Sequence, residues 1–321
     1  MKGLKKTVAI LGISGLLLLG IELISRYVLS NVYNRTFDSS LLIANKFGAS
    51  GGLKENSIGS VWGEEFHTDE IGGRLTHEAN EKKQSGKKKW LYIGDSVTEG
   101  VGVDDHSTFS SLIAGHSESS DVRNLSLIGY SSSDYVQVVS HFLFQDSSIE
   151  RVTLFFCLND VYGKSKTSEL PVMAKQELLS KMNQLLANYS SSYKLIKLIV
   201  LQNSSKYFEY DLQFYEQNNS HFMESMNDLH FCDSICKTRN VQFEVVVLPY
   251  KSQLTGKNKT NRVPQELLNT FCKTKNIRCL DATEFLSKAK TPTELFLWAD
   301  EIHLSAKGHS AVAAFLKQEL F

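Results

Sequence analysis

The segment "RVTLFFCL", Arg151 to Leu158, is apolar at nearly every position rather than at alternate ones. A strand of that kind buries both faces and belongs in the middle of a parallel sheet. "KWLYIGDS" and "DVRNLSLIG" before it, and "VQFEVVVLP" and "IRCLDA" after it, are further short apolar strands. Between them, apolar residues recur at helical spacing in "TFSSLIAGH", "MAKQELLSKMNQLLANY", "ESMNDLHFCDSICKT" and "PQELLNTFCKTKN". "SSSDYVQVVSHFLFQ" puts Tyr135, Val138, Val139, Phe142 and Leu143 on one face, and the closing "SAKGHSAVAAFLKQEL" is capped by Ser305. This alternation predicts an α/β fold of three layers, a parallel sheet of about five strands between helices. A ligand site in such a sheet lies beyond the carboxyl ends of the strands. That rule gathers Ser96, Gly129, Asn159 and the loop before the last helix on one rim.

The N-terminus has a different character. Lys2, Lys5 and Lys6 precede an uncharged apolar run from Thr7 to Ile21, which resumes after Glu22 and Arg26. A bilayer span needs about 20 residues. With no small-x-small cleavage site after the run, residues 1–29 read as an uncleaved signal-anchor or transmembrane helix. The lysines then stay in the cytoplasm and the remainder is extracytoplasmic. A cleaved signal peptide is the alternative. Residues 30–88, with "GASGG" and the basic "NEKKQSGKKK", read as a stalk and an extension lying against the domain at 89–321. Residues about 190–220 read as an insertion or lid. Its aromatics Tyr207, Phe208, Tyr210, Phe214 and Tyr215 form either a packing patch or a wall for a sugar or acyl chain.

Bulk charge gives no argument for nucleic acid, because 35 Lys and Arg balance 35 Asp and Glu. The chain carries no P-loop, no Gly-x-Gly-x-x-Gly after a strand and no zinc-type Cys pair, so neither cofactor nor metal is expected. Cys157 stands apart from Cys232, Cys236, Cys272 and Cys279. In an oxidising compartment those four could form two bridges; buried free thiols are the other reading. The oligomeric state is not legible.

Chemistry enters at the ends of the chain's elements. "LWADEIHLSAKGH" sets Asp300 three residues before His303. One turn of separation lets a carboxylate hold one ring nitrogen while the other takes a proton. Ser96, after "GD", closes a strand where a nucleophile or a helix cap can stand. Gly129 allows a tight turn with its N–H free, and the Asn159 amide is a neutral donor for a developing oxyanion. Glu301 reads as a surface charge, His309 as solvent-facing, and His106 and His141 have no partner pattern.

In this order, Gly-Asp-Ser, Gly, Asn-Asp and Asp-x-x-His resemble the SGNH (GDSL-type) hydrolase family over roughly Trp90 to Phe321. "GDSVTEG" and "DEIHLSAKGH" are the specific blocks. "FHTDEIGGR" at 66–74 is similar to the lead-in of membrane-anchored bacterial members. The resemblance implies a flavodoxin-like sheet and a serine esterase. Ser96 would be the nucleophile, His303 the base and Asp300 its orienter. The N–H groups of Ser96 and Gly129 and the Asn159 side chain would form the oxyanion hole. Asp95 would hold the serine turn. Cys157 departs from the family, which usually has glycine two residues before the asparagine; inside an apolar strand it reads as a packing substitution. The implied substrate is an acylated carbohydrate or other ester, O-acetyl or short acyl on a glycan. O-acyl transfer with the same triad and non-catalytic glycan binding are the alternatives.

Overall fold

The computed structural model describes residues 2–76, 87–117, 120–162, 186, 188–201 and 206–321. Most of the predicted helix at 173–189 and most of the basic run at 80–89 lie outside them. The chain divides into two units, Met1–Asn34 with Pro171–Ser204, and Arg35–Leu170 with Ser205–Phe321. The helices in chain order are α1 (Lys2–Asn31), α2 (Ser96–Glu99), α3 (Phe109–Ala114), α4 (Ser132–Gln145), α5 (Ser191–Leu201), α6 (Lys206–Leu212), α7 (Ser220–Thr238), α8 (Lys251–Thr255), α9 (Val263–Lys275), α10 (Thr283–Ser287) and α11 (Ala306–Leu320).

In the larger unit, β1 (Leu42–Ala44) pairs antiparallel with β2 (Gly51–Leu53), and β3 (Ile58–Val61) with β4 (Glu64–His67). The main sheet holds β5 (Lys88–Ile93), β6 (Ser120–Asn124), β7 (Ile149–Phe156), β8 (Gln242–Val247) and β9 (Arg278–Asp281). Its strands are all parallel, in the order β6-β5-β7-β8-β9. Numbered along the sheet this is 2-1-3-4-5, the flavodoxin-like order. The expected five-strand α/β sheet is therefore present, and its switch point falls between β5 and β7. Tyr92, Ile93, Val152, Leu154, Phe155, Phe156 and Val245 to Val247 are fully buried, each contributing about 1.5–3 kcal/mol where large and apolar. The pair α3–α11 and the pair α4–α7 provide helical cover.

Residues 35–76 join the same core. Leu41, Leu53, Val61 and Phe66 are buried within it. The Arg74 N–H donates to Asn124 O at 2.8 Å and Thr76 Oγ1 to Val122 O at 3.0 Å, so this segment covers the outer edge of β6. An edge strand otherwise offers unpaired backbone groups to other chains.

Of the aromatics at 207–215, Phe208, Phe214 and Tyr215 are core residues, which supports the packing reading; Tyr207 is exposed. All five cysteines are free thiols. Cys232, Cys236 and Cys272 are buried, and the Cys279 thiol is raised by its hydrogen bond with Cys272 and by burial. Cys279 also lines a surface cleft with Asn269, Thr270, Lys273, Asn276 and Ile277, which includes none of the rim residues named above.

The smaller unit contains α1 and α5, which pack against each other. Lys6–Asn31 of α1 is long and apolar enough to cross a membrane, and its apolar side chains from Val8 to Leu19 are exposed.

Candidate active site

The chain leaves β5 through Gly94, where a Cβ would approach Phe155 O to 3.0 Å and crowd Thr98. Only glycine lets the turn lie this close to β7. Asp95 then caps α2, its Oδ1 accepting from Val97 N at 2.9 Å. Ser96 follows as the first residue of α2, buried, with its amide donating to no other group among the described residues. The Asp95 carboxyl is buried, which raises its pKa against the opposing Val97 N–H bond. Its Oδ2 lies 3.3 Å from Asn159 Nδ2 and 3.4 Å from Ser96 Oγ.

Two further rim residues meet this turn. Gly129, after β6, sits at φ +86°, a conformation that favours glycine, and has open space where a Cβ would be. Its amide likewise donates to no group among the described residues. Asn159 follows β7 in a tight turn closed by Cys157 N to Asp160 Oδ2 at 2.8 Å and Asp160 N to Cys157 O at 3.0 Å. Cys157 is a buried core residue, as a packing substitution requires, and the turn forms without glycine.

The last loop supplies the other half. His303 Nε2 is 2.9 Å from Ser96 Oγ, and its Nδ1 is 3.0 Å from both Asp300 oxygens. Asp300 Oδ1 also accepts the amides of Ile302 and His303 at 2.8 Å each. Burial works to raise the Asp300 pKa. The His303 charge and these hydrogen bonds overcome it and hold the carboxyl well below the ordinary range. A permanent carboxylate on Nδ1 keeps the proton there and leaves Nε2 as the acceptor facing Ser96. Ser96, His303 and Asp300 are thus linked directly, Asp95 joins Ser96 to Asn159, and Gly129 follows the carboxyl end of the neighbouring β6.

Several neighbours were not anticipated. Arg35 Nη2 contacts Asp300 Oδ2 at 3.1 Å, and its guanidinium stacks 4.3 Å over the Trp62 ring. Trp62 meets His303 edge-on, with ring centroids 4.5 Å apart. Trp62 and Gly63 form the two-residue tip of the β3–β4 hairpin, and both have positive φ, 55° and 90°. Tips of this kind favour Asn or Gly, so a tryptophan there is strained. Lys251 Nζ donates to Asp300 O at 2.7 Å and lies 3.9 Å from Glu301.

Arg74 has a fully buried guanidinium, which bonds Asp105 Oδ1 at 2.9 Å, Glu99 O at 2.8 Å, Gly100 O, and Val103 O at 2.6 Å. It fixes the loop that follows α2. Glu99, also fully buried, accepts from Ile128 N at 2.6 Å and so seats the residue before Gly129. Burial pushes its carboxyl up to about 8, against the Ile128 bond and the Arg74 charge. "FHTDEIGGR" and "GDSVTEG" contained Arg74 and Glu99, but nothing in either stretch gives their direction.

Two expectations are corrected. His309 is buried, not solvent-facing: its Nδ1 accepts from Phe109 N at 3.2 Å and burial lowers its pKa to about 3. Helix α11 packs on α3, which turns that side of the helix inward. Glu301 is not a surface charge; it is buried beside Lys251, and burial raises it to about 7. Among the described residues no group of three or more His, Cys, Asp or Glu is arranged to hold a metal ion.

The profile of the GDSL-like lipase/acylhydrolase family matches residues 91–316. The chain belongs to that family. As a GDSL-type protein it is a hydrolase acting on ester bonds. Solved GDSL-type structures resemble it at low identity. A lipolytic G-D-S-L protein from Veillonella parvula is 15% identical with TM-score 0.44, over 73% of this chain and 98% of that one. One from Desulfitobacterium hafniense is 16% identical with TM-score 0.44, over 73% and 100%. The acetylxylan esterase Axe2 from Geobacillus stearothermophilus is 17% identical with TM-score 0.44, over 73% and 94%. No curated protein sequence matches this GDSL-type chain.

Proposed function

We propose that the chain is a membrane-anchored, extracytoplasmic serine esterase that removes O-acetyl or another short acyl group from a glycan. The observation that carries the catalytic part is the continuous link Ser96 Oγ–His303 Nε2–His303 Nδ1–Asp300, at 2.9 and 3.0 Å. Ser96 is too weakly acidic to attack unaided. His303 takes its proton as Oγ bonds to the ester carbonyl carbon, and Asp300 balances the imidazolium. The carbonyl oxygen, now an oxyanion, accepts from the amides of Ser96 and Gly129 and from Asn159 Nδ2. His303 then protonates the departing alcohol, leaving an acyl-Ser96 ester. Water attacks that ester with His303 again as base, which releases the acid and restores Ser96.

The glycan and the side of the membrane rest on the resemblance to membrane-anchored family members and on the lysines at the start of α1, Lys2, Lys5 and Lys6. The full chain in detergent should be labelled by a fluorophosphonate and should release acetate from an activated ester and from acetylated polysaccharide. Absence of labelling on folded protein, or full activity in Ser96→Ala, would sink the esterase reading. Acyl release only when a sugar acceptor is added would make the reaction a transfer. Protease protection of the larger unit in sealed inverted membrane vesicles supports the extracytoplasmic side; digestion there refutes it.

A further inference from the structure

Between Lys6 and Asn31 of α1, Glu22 is the only acidic residue. An acid in an apolar helix is costly in lipid unless it is partnered. Here it is partnered by α5. Its carboxylate accepts from Ser191 N at 2.7 Å, Ser192 N at 3.0 Å, Ser192 Oγ at 2.9 Å and Ser190 Oγ at 3.3 Å, and Arg26 Nε lies 3.4 Å away. The α1 side chains that lose exposure are Glu22, Ser25, Val28 and Leu29, a single stripe at the end of the helix distant from Lys6. At 1.5 Å per residue Glu22 stands about 24 Å along the axis from Lys6, close to the far boundary of a hydrocarbon core of about 30 Å.

Helix α5 has 11 residues. That is about 16 Å, half of what a span needs. Ile196 and Ile199 are exposed on one side, one turn apart, and Lys194 and Lys197 are exposed one turn apart on the opposite side. Leu195 and Leu198 are half-buried between, and Tyr189 just before the helix is 80% exposed. An apolar arc opposite a lysine pair, with a tyrosine at one end, is the pattern of a helix lying in a membrane interface. The exposed charged side chains beside Glu22 and on α5 are Arg26, Lys194 and Lys197, all positive, which complements anionic headgroups.

We propose that α5 is a second, non-spanning membrane contact, seated on the membrane-exit end of α1 by the Glu22 carboxylate, with Ile196 and Ile199 in the acyl region and Lys194 and Lys197 at anionic headgroups. This rests on the reading of α1 as a membrane helix. It goes beyond an N-terminal anchor, because α5 enters the chain between β7 and β8, inside the hydrolase sequence.

The test uses the full chain in vesicles of phosphatidylcholine with phosphatidylglycerol. An environment-sensitive thiol label is placed at Ile196→Cys, Ile199→Cys, Ile13→Cys in α1 and Lys288→Cys on the larger unit, with the labelled parent chain as background. Bromine-bearing lipid should quench the Ile196 and Ile199 labels at least about twofold more than the Lys288 label, and aqueous iodide should do the reverse. Removing phosphatidylglycerol should weaken the lipid quenching at Ile196, and so should Glu22→Ala, while Glu22→Gln should preserve most of it. Ester hydrolysis by each variant checks that the larger unit is folded. If Ile13 is quenched by lipid while Ile196 and Ile199 behave like Lys288, the proposal fails and the anchor stands. If Ile13 is quenched only by iodide, the membrane reading of α1 fails and takes the proposal with it. A label at Ile196 shielded from both quenchers means a protein occupant and overturns the proposal. Unchanged quenching in Glu22→Ala overturns the seating role.

Discussion

The two halves of the candidate site are built differently. Ser96, Gly129 and Asn159 stand at the ends of β5, β6 and β7, and neighbouring strands set their spacing. Asp300 and His303 stand on one loop, held against Ser96 by side chains more than two hundred residues away, Arg35 and Trp62. The sheet half is positioned by backbone and fully buried groups. The loop half has backbone bonds of its own, Leu297 N to His303 O and Lys251 N to Glu301 O, but the flanks of its Asp300 and His303 side chains are set by exchangeable contacts, two of them on a hairpin tip and its flank. Damage to the first half should therefore remove chemistry, and damage around the second should detune it.

The largest effect should come from the junction of the halves. On the proposed roles, Ser96→Ala or His303→Ala lowers kcat by roughly 10⁴ to 10⁶, with little change in KM, in steady-state assays on an activated ester. Next is a donor of the sheet half: Asn159→Ala should lower kcat about 10² to 10³ while fluorophosphonate labelling persists more slowly. A loss under tenfold would remove Asn159 from the oxyanion site. Arg35→Gln or Trp62→Ala should each cost only about 1 kcal/mol, near fivefold in kcat/KM. Equal losses in Arg35→Gln and Asn159→Ala would erase the distinction between the halves.

The last effect, and the smallest on turnover, is on stability rather than rate. The Glu99 carboxyl titrates near 4.5 unfolded and is pushed up to about 8 by burial in the folded chain. Because the folded pKa is raised, the unfolded chain releases this proton first as pH rises. The stabilisation is complete below about pH 4.5 and is lost progressively towards pH 8. Glu99→Gln keeps an acceptor for Ile128 N and should flatten that slope in denaturant titrations at a series of pH values, with near-normal kcat. Glu99→Ala loses the acceptor and should also slow turnover.

The same contrast explains what was legible in the sequence. The sheet follows from strands such as Val152–Phe156 whose burial on both faces is written in consecutive apolar residues. Ser96, Gly129, Asn159, Asp300 and His303 could be named because each is local to a strand end or one short loop. Arg35, Trp62, Arg74 and Glu99 could not, because their partners lie elsewhere along the chain and a polar side chain's direction has no period. His309 and Glu301 run against expectation for that reason: His309 reads as exposed until the packing of α11 on α3 is known, and Glu301 until Lys251 is placed beside it. The helical segment "SSYKLIKLIVL" fell in a stretch read as insertion or lid, since its packing partner is α1, with Ser191 and Glu22 169 residues apart.

The Arg74 contacts bear on where this enzyme begins. Family similarity starts at residue 91. A fragment cut there would strip a buried guanidinium from Asp105 and from three carbonyls of the nucleophile loop, and a cation from Asp300. Breaking one such buried pair typically costs about 3–5 kcal/mol, a large part of a domain's whole stability. A fragment starting near Arg35 should therefore keep ester hydrolysis that a fragment starting at residue 91 loses, read in the same activated-ester assay.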